Sequence, residues 1–487
     1  MPDVNWLALT PPLILLVTAS VALLVAISRR GSRPIAALSI VGLSLAAVFN
    51  AVLFAQSQTG ALATSFGLRY LADHPALAFN FIILLGTALA VLVSFDYLER
   101  GGLEHPEYYP LMLLSATGAM VLVAAGDFIV LLLGLEIMSL AVYVLSAWRQ
   151  NARESEEAGM KYFLLGAFAS AFLIYGIALM YGATGFFGFE QIALTLGSDG
   201  FDQGLLATLA ALLIVVGLGF KASIVPFHQW APDAYTGAPT AVTAYMSVVV
   251  KAAAFAGLVR VFSALFPDLG PIVLALFSVL VALTMIIGNL AALLQRGLKR
   301  MLAYSAVAHA GYLGLAVLAA GDLGTQAVAW YMLAYVLMNV GAFAVLTLIA
   351  DANDHGDDLE RFAGLSQQKP WLAAAMALFM LSLAGIPPLA GFTGKILVFQ
   401  AALQAGYYLL AVVGILTSAI AIFYYFRVIT YMYFRDPEYV TPNVESRATN
   451  LAIGVTAVGT VLLGIFPGWW YGLLSVGQRF VAGVAGL

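Results

Sequence analysis

The sequence predicts an all-α polytopic membrane protein of about fourteen transmembrane helices, arranged as two inverted five-helix repeats with one broken helix in each. Three observations predict it. Of 487 residues, 62% are hydrophobic and only 9% charged, where an ordinary soluble domain carries about a quarter charged residues. Apolar stretches of about 17 to 25 residues, the length that crosses ~30 Å of hydrocarbon, recur from end to end. Two of them are interrupted by proline: GFKASIVPFHQWAPDAYTGAPT (219–240) holds Pro226, and GIPPLAGFTGK (385–395) holds Pro387 and Pro388.

In chain order the stretches run 7–27, 35–55, 76–95, 109–125, 128–147, 160–181, 204–230 (interrupted), 239–263, 271–294, 300–320, 324–350, 371–404 (interrupted), 407–433 and 450–473. The first is too long for the core of a signal peptide. It has no basic residue ahead of it and ends in Arg29, Arg30 and Arg33 with no small-residue cleavage site, so it is expected to be retained as a helix. Residues 1–108 then form an N-terminal group of three helices, 109–265 a first bundle of five, 270–435 a second, and 436–487 carries a last helix. Proline removes a backbone donor and disrupts the preceding turn. Irregular backbone is not tolerated against lipid, so both breaks are expected inside protein or along a hydrated cavity. They lie 162 residues apart (388 − 226), about five helices, and an odd number per unit turns the second unit upside down relative to the first.

Basic residues set the orientation. With the N-terminus outside, the cytoplasmic loops hold Arg29, Arg30, Arg33, Arg100, Arg149, Arg153, Arg296, Lys299, Arg300, Arg361, Lys369, Arg435 and Arg447, against Arg69, Arg260 and Arg479 on the outer side. Both termini are thereby expected on the outer face. A net charge of −4 offers no basic surface for nucleic acid. The absence of cysteine excludes a disulfide framework, thiolate-held iron–sulfur clusters and a cysteine zinc site. Lipid and protein remain as partners.

The chemistry lies in the few ionisable residues inside the spans. Glu136, in LLLGLEIMSLAVYVL, follows Asp127 by nine residues, or ~13.5 Å of helix, which puts it near the midplane. An unpaired acid there costs about 2.5–3.5 kcal/mol; the alternative to a functional role is a neutral carboxyl group bonded to a neighbouring helix. Lys251, nine residues before Arg260, is at similar depth, and Lys221 and Lys395 adjoin the two breaks. Of the six lysines, only Lys299 and Lys369 read as plain loop residues. Lys161 follows Glu157 at i, i+4 and either serves the route or snorkels. His309, one turn after Ser305, and His228, in the first break, either relay protons or make structural bonds. Asp127, after Gly126, reads as an N-cap, and Asp233, between Pro232 and Ala234, as a turn or cap. Desolvation favours a neutral amine and a nearby carboxylate favours an ammonium, so a row of such groups with water between them can pass a proton when a neighbouring charge changes.

The stretches PFHQWAPDAYTGAPTAVTAYMSVVVKAAAFAGLVR, KRMLAYSAVAHAGY and LSLAGIPPLAGFTGK closely resemble the subunit N family of the proton-pumping NADH:quinone oxidoreductase, respiratory complex I. The resemblance runs over essentially the whole chain and is strongest from about 109 to 435. It implies an antiporter-like subunit with two inverted five-helix bundles, each holding a half-channel for protons. By matching motif, Glu136 is the fifth-helix glutamate paired with Lys221 on the broken seventh helix, Lys251 the connecting lysine on the eighth, and Lys395 the lysine of the broken twelfth, with His309 and Lys161 along the polar axis. Subunit M usually has glutamate where Lys395 stands, and subunit L is extended by a lateral helix absent after residue 473, so both departures favour subunit N.

The resemblance further implies no cofactor in this chain, since NAD, FMN, iron–sulfur clusters and quinone belong to other subunits. It implies membrane-arm partners, the neighbouring antiporter-like subunit and small membrane subunits among them, and residence in the bacterial inner membrane with both termini periplasmic. The alternatives are a subunit of a multisubunit sodium/proton antiporter, against which the contexts of Tyr235 and Lys395 argue, and a lipid-modifying membrane enzyme, for which the sequence offers no nucleophile–base cluster or metal-ligand spacing.

Overall fold

The computed structural model describes residues 4–468, apart from 29–30, 59–61, 151, 199–200, 266–269, 320, 351–353, 355 and 443. The chain runs through α1 (Trp6–Ser28), α2 (Arg33–Ser57), a hairpin of β1 (Ala63–Ser65) and β2 (Tyr70–Ala72), α3 (His74–Arg100), α4 (Tyr108–Val123), α5 (Phe128–Ser146), α6 (Arg153–Thr184) and α7 (Phe189–Leu196). It continues with α8 (Gly204–Ala222), α9 (Trp230–Gly237), α10 (Thr240–Tyr245), a π-helical turn (Met246–Val250), α11 (Lys251–Leu265), α12 (Pro271–Leu293), α13 (Leu298–Leu318) and α14 (Gly321–Ile349). A 3₁₀ turn (Leu359–Phe362), α15 (Leu365–Gln368), α16 (Pro370–Ala384), α17 (Ala390–Gln404), α18 (Tyr408–Phe434) and α19 (Arg447–Ile465) complete it.

Each expected stretch falls on helix. Among the described residues twelve helical spans are long and apolar enough to cross a membrane, with Tyr108–Val123 and Pro370–Ala384 as shorter apolar helices. The expected 239–263 helix is α10, the π turn and α11 in succession. Two connections carry structure that hydropathy does not reveal: the antiparallel hairpin pairing Ala63 with Ala72, and the amphipathic α7. Arg29, Arg30, Arg479 and the end of the 450–473 stretch lie outside the described residues.

The interruptions are real. Lys221 and Ala222 end α8, Ser223 turns left-handed at φ 62, and the chain restarts as α9 after the cis Val225–Pro226 peptide. Between α16 and α17 the chain passes through left-handed Gly385 (φ 85) and the cis Pro387–Pro388 peptide. Backbone groups freed near each break are re-satisfied: Val225 N donates to Thr284 Oγ1 of α12 at 3.0 Å, and Gly391 N donates to Ser382 Oγ at 3.1 Å, while Pro226, Pro387 and Pro388 themselves are exposed at the surface of this chain.

Burial sorts the helices into an interior and a rim. The apolar window of α14 is entirely buried, and those of α13 and the 240–265 segment 94% buried, against 33% for α1, α6 and α12. Exposed rim side chains such as Leu24, Leu45, Phe168, Val279 and Phe423 are apolar, as a hydrocarbon surface requires. Glycine allows the closest helix pairs. A Cβ on Gly118 or Gly134 would strike the backbone across the α4–α5 contact, and one on Gly288 or Gly311 would strike it across the α12–α13 contact. Asp127 caps α5, accepting from Val130 N at 2.7 Å, as the sequence predicts.

Lys299, assigned to a loop, and Arg260, counted on the outer side, are both buried within helices. Lys299 lies in the first turn of α13, buried, with Nζ 2.9 Å from Asp354 Oδ2 and 3.0 Å from the Ala238 carbonyl. Arg260 lies in α11, buried, donating to Asp73 Oδ1 at 2.6 Å and to the Val123 carbonyl at 2.5 Å. In each case a buried carboxylate from a distant loop makes helical burial of the cation tolerable. Asp354 also accepts from Thr240 Oγ1 (2.6 Å), Thr240 N (3.1 Å) and Arg149 Nη1 (3.4 Å), so it joins the α5–α6 loop, the start of α10 and the start of α13.

Burial alone pushes the Asp354 carboxyl up, but the Lys299 charge and the Thr240 hydrogen bond outweigh it and hold the group below the usual carboxylate range. A depressed folded-state pKa contributes stability that is complete above the ordinary value of about 3.9 and is lost as pH falls through the folded value. Asp354→Asn, which leaves Lys299 and Arg149 without that counter-charge, is expected to cost about 3–5 kcal/mol at neutral pH. Thermal unfolding of the purified protein from neutral to acid pH checks both: the variant starts lower and has lost the wild-type pH dependence near pH ~4.

Candidate functional site

The interior helices carry one polar row, and each member is placed by its helix. Lys221 is in the last turn of α8, where the break ends the helix. Its Nζ hydrogen-bonds Tyr143 Oη at 2.8 Å and lies 4.6 Å from the Tyr143 ring centroid and 4.9 Å from that of Tyr162. Tyr162 stacks on Trp230, the first residue of α9, at 4.1 Å and 1°, so the helix beyond the break closes the aromatic box. Cation–π contact stabilises an ammonium without a fixed counter-ion.

Glu136 lies on α5 two turns before Tyr143, half-buried, and accepts from Ser170 Oγ at 2.5 Å. The expected direct pairing of Glu136 with Lys221 is not formed: among the described residues no ion pair joins them, and Tyr143 is the contact. Seven residues of α5, ~10.5 Å along the axis, separate Glu136 from Tyr143, which puts the lysine opposite the tyrosine.

Lys251 opens α11 directly after the π turn. The wider turn carries one extra residue, a device that recurs at functional sites, and Lys251 Nζ donates to the Ala306 carbonyl of α13 at 2.5 Å. On α13, Ser305, Ala306, His309 and Tyr312 share one face at spacings of three and four. His309 Nδ1 bonds Tyr331 Oη at 2.6 Å and its Nε2 bonds Tyr425 Oη at 3.0 Å; Tyr425 also pairs with Ser305 Oγ at 2.5 Å. Tyr331, Tyr335 and Asn339 form the matching stripe of α14. The Tyr335 ring lies 5.1 Å from that of His309 and 6.0 Å from Lys251 Nζ, while Asn339 donates to Ser247 of the π turn at 2.7 Å.

Lys395 sits on α17 and reaches back across the second break. Its Nζ donates to the Ala384 carbonyl at 2.9 Å and to Ser418 Oγ at 2.7 Å, under the Tyr312 ring at 5.3 Å. Along α13, therefore, the contacts of Lys251, His309 and Lys395 follow one another over six residues, from Ala306 to Tyr312, or ~9 Å. The structure gathers these three and sets Lys221 apart in its aromatic box.

The remaining candidates lie outside this row. Lys161 is 42% exposed and bridges Glu157 and Asp233 at 2.7 Å each. Asp233, expected as a turn or cap, is an ion-pair hub that also meets Arg300 Nη1 at 3.0 Å. Burial pushes its carboxyl up, but Lys161 and Arg300 hold it below the usual range. His228 lies half-buried in the break, and no hydrogen bond or ion pair among the described residues ties it to Lys221. Sequence reasoning missed Tyr143, Ser170, Tyr331, Tyr335, Ser418 and Tyr425. The one available signal was the spacing of Tyr331, Tyr335 and Asn339 along one face of an otherwise apolar helix.

The family model described as NADH:quinone oxidoreductase/Mrp antiporter, TM, matches residues 125–421. The chain is 42% identical over 474 residues to NADH-quinone oxidoreductase subunit N 1 of Herpetosiphon aurantiacus, covering 96% of this chain and 95% of that one. A chain of respiratory complex I from Thermus thermophilus superposes with a TM-score of 0.82 at 37% identity, covering 96% of this chain and all of that one. A chain of the Mrp complex from Dietzia sp. superposes with a TM-score of 0.85 at 22% identity, over 97% of each, a likeness of fold alone.

Tyr425 holds both Ser305 and His309, so Tyr425→Phe and His309→Gln are expected to be non-additive. A double-mutant cycle on unfolding free energy should give a coupling of about 0.5–3 kcal/mol. A coupling within error of zero would mean that the Tyr425–His309 bond contributes nothing.

Proposed function

The chain belongs to the NADH-quinone oxidoreductase subunit N family, and from that premise we propose that it is a proton-translocating subunit of the membrane arm, coupled to quinone reduction elsewhere in the complex. One observation carries the reading. Lys221, Lys251 and Lys395 are all buried, and their hydrogen-bond partners are neutral: a tyrosine hydroxyl, a carbonyl, and a carbonyl with a serine. A hydroxyl accepts from an ammonium or donates to an amine, and a carbonyl accepts from either. Each contact therefore survives gain or loss of the proton, which a locked salt bridge does not.

In this reading Glu136, Lys221, Lys251 and Lys395 form the route, with His309 beside it and Lys161 and His228 toward the entrance. Residues 109–265 and 270–435 act as two inverted units of common design. The paired helix breaks, each with a lysine adjoining, and the glycine-packed α4–α5 and α12–α13 pairs support that division. Residues 1–108 and 436–487 flank the two units. NAD, FMN, iron–sulfur clusters and quinone are assigned to other subunits, which makes this chain the translocase part of the enzyme. The bacterial inner membrane, with both termini periplasmic, follows from the asymmetry of loop cations. Glu136 stands half-exposed beside lipid-facing Leu133 and Leu140; an acid in that setting favours cover by another membrane-arm subunit over contact with hydrocarbon. A sodium/proton antiporter subunit is the second reading; the matching family model covers both kinds, but the relatives at about 40% identity over nearly the whole chain are subunit N.

Lys221→Ala is expected to lower proton pumping far more than assembly, and Lys221→Arg to fail as well, since guanidinium keeps its proton. Tyr143→Phe should slow pumping less than either. Proton uptake and quinone-linked electron transfer, measured together in sealed vesicles, give the ratio. Wild-type ratio and turnover for Lys221→Ala would sink the proposal.

At the other end of the route, Lys395→Glu should be tolerated better than Lys395→Leu, because a carboxyl group also carries a proton. Normal pumping by Lys395→Leu in the same vesicle assay would remove Lys395 from the route.

A further inference from the structure

At the end of the molecule opposite Asp354 a cavity of about 1040 Å³ opens between the 63–72 hairpin, the start of α5 and the loop before α7. Its frame is built from backbone hydrogen bonds. Leu71 N donates to the Ala124 carbonyl at 2.7 Å, Gly126 N to the Arg69 carbonyl at 2.8 Å, and Phe189 N to the Gly126 carbonyl at 3.1 Å. The hairpin tip is strained: Phe66 (φ 56) and Leu68 (φ 70) share the left-handed region with Gly67. Residues with a Cβ are held there only where the surroundings over-determine them, a condition common at ligand clamps.

The chemistry of the cavity is layered. Its lower wall includes Ile129 and Leu133, both exposed on the apolar face of α5, and reaches five residues into that span, ~7.5 Å. At the level where the span begins stand Arg69, whose Nε is 3.7 Å from Asp127 Oδ2 and whose side chain is 70% exposed, and the half-buried Glu190. Deeper in, Asp73 and Arg260 satisfy each other. Asp127 is buried and spent on capping α5 and holding Arg69, which leaves one accessible cation, Arg69, and one accessible carboxylate, Glu190, above an apolar slot: a match for a molecule with a phosphate, an ammonium and a hydrocarbon tail.

We propose that this cavity binds an aminophospholipid of the adjoining leaflet, its phosphate on Arg69, its ammonium beside Glu190, and an acyl chain along Ile129 and Leu133. The assignment is independent of the proton route, which uses none of these residues.

The test places the purified complex in nanodiscs containing a trace of phosphatidylethanolamine with a photoactivatable acyl chain, and maps adducts by mass spectrometry. Adducts are expected to be enriched on peptides covering 62–71, 126–133 and 185–191 over the lipid-facing surface of α12 at Leu276 and Val279. Excess unlabelled phosphatidylethanolamine should displace them and phosphatidylglycerol should not. Arg69→Gln should lower their yield about fivefold, the worth of one charge-assisted contact, and Leu133→Trp should abolish them, with α12 labelling unchanged in both. Labelling no greater than that of α12, or equal displacement by the two lipids, overturns the proposal.

Discussion

Leaving the amine of Lys221, Lys251 or Lys395 unpaired at its depth would be costly, since there is no bulk water to solvate it, and this constraint orders the interior. The chain meets it by walling the lysines inside protein. The rim helices take the lipid, so α11, α13 and α14 are free to carry polar side chains on facing stripes. The lysines are then satisfied by a tyrosine, a serine, a mid-helix carbonyl and one carbonyl freed by a helix end. The breaks belong to the same solution: Lys395 is held by the Ala384 carbonyl, which is available because α16 stops there.

Charge is distributed by the same rule. At the span ends most fixed cations meet a carboxylate: Lys299 and Arg149 on Asp354, Arg260 on Asp73, and Lys161 and Arg300 on Asp233, while Arg427 is held by the carbonyls of Leu293 and Gln295. Where the cation belongs to the polar row, the partner is neutral. The two kinds are also separated in space, with ion pairs at the ends of the spans and neutral-partnered lysines between them. Fixed pairs at the ends hold the helices in register while leaving the middle open to change of charge.

Much of this is legible in the sequence, and what is not has a common cause. Hydropathy gives the helices because lipid imposes one composition on every span. Lys221, Lys251 and Lys395 stand out because charge is costly in such runs, and Pro226, Pro387 and Pro388 mark the breaks because proline cannot continue a helix. Partners are hidden. Tyr143 is 78 residues from Lys221 and Tyr425 is 116 from His309, and tyrosine and serine are ordinary in membrane helices, so nothing local distinguishes these from others. The burial of Lys299 and Arg260 was hidden for a related reason. Their position near span ends reads as exposed until the distant Asp354 and Asp73 are seen to pair with them.

The π turn of Met246–Val250 has a consequence for how the gene can vary. An extra residue in one turn rotates everything after it by about 100° relative to an unbroken α-helix, and that rotation aims Lys251 at the Ala306 carbonyl. The four apolar side chains of that turn, Met246 and Val248 to Val250, are then interchangeable to a degree that the number of residues is not. Loss or gain of a single codon between 246 and 250 would swing the lysine off α13 while leaving hydropathy, span length and charge as they were. The segment is constrained by count rather than by identity, a kind of conservation that substitution profiles do not register and gap placement does.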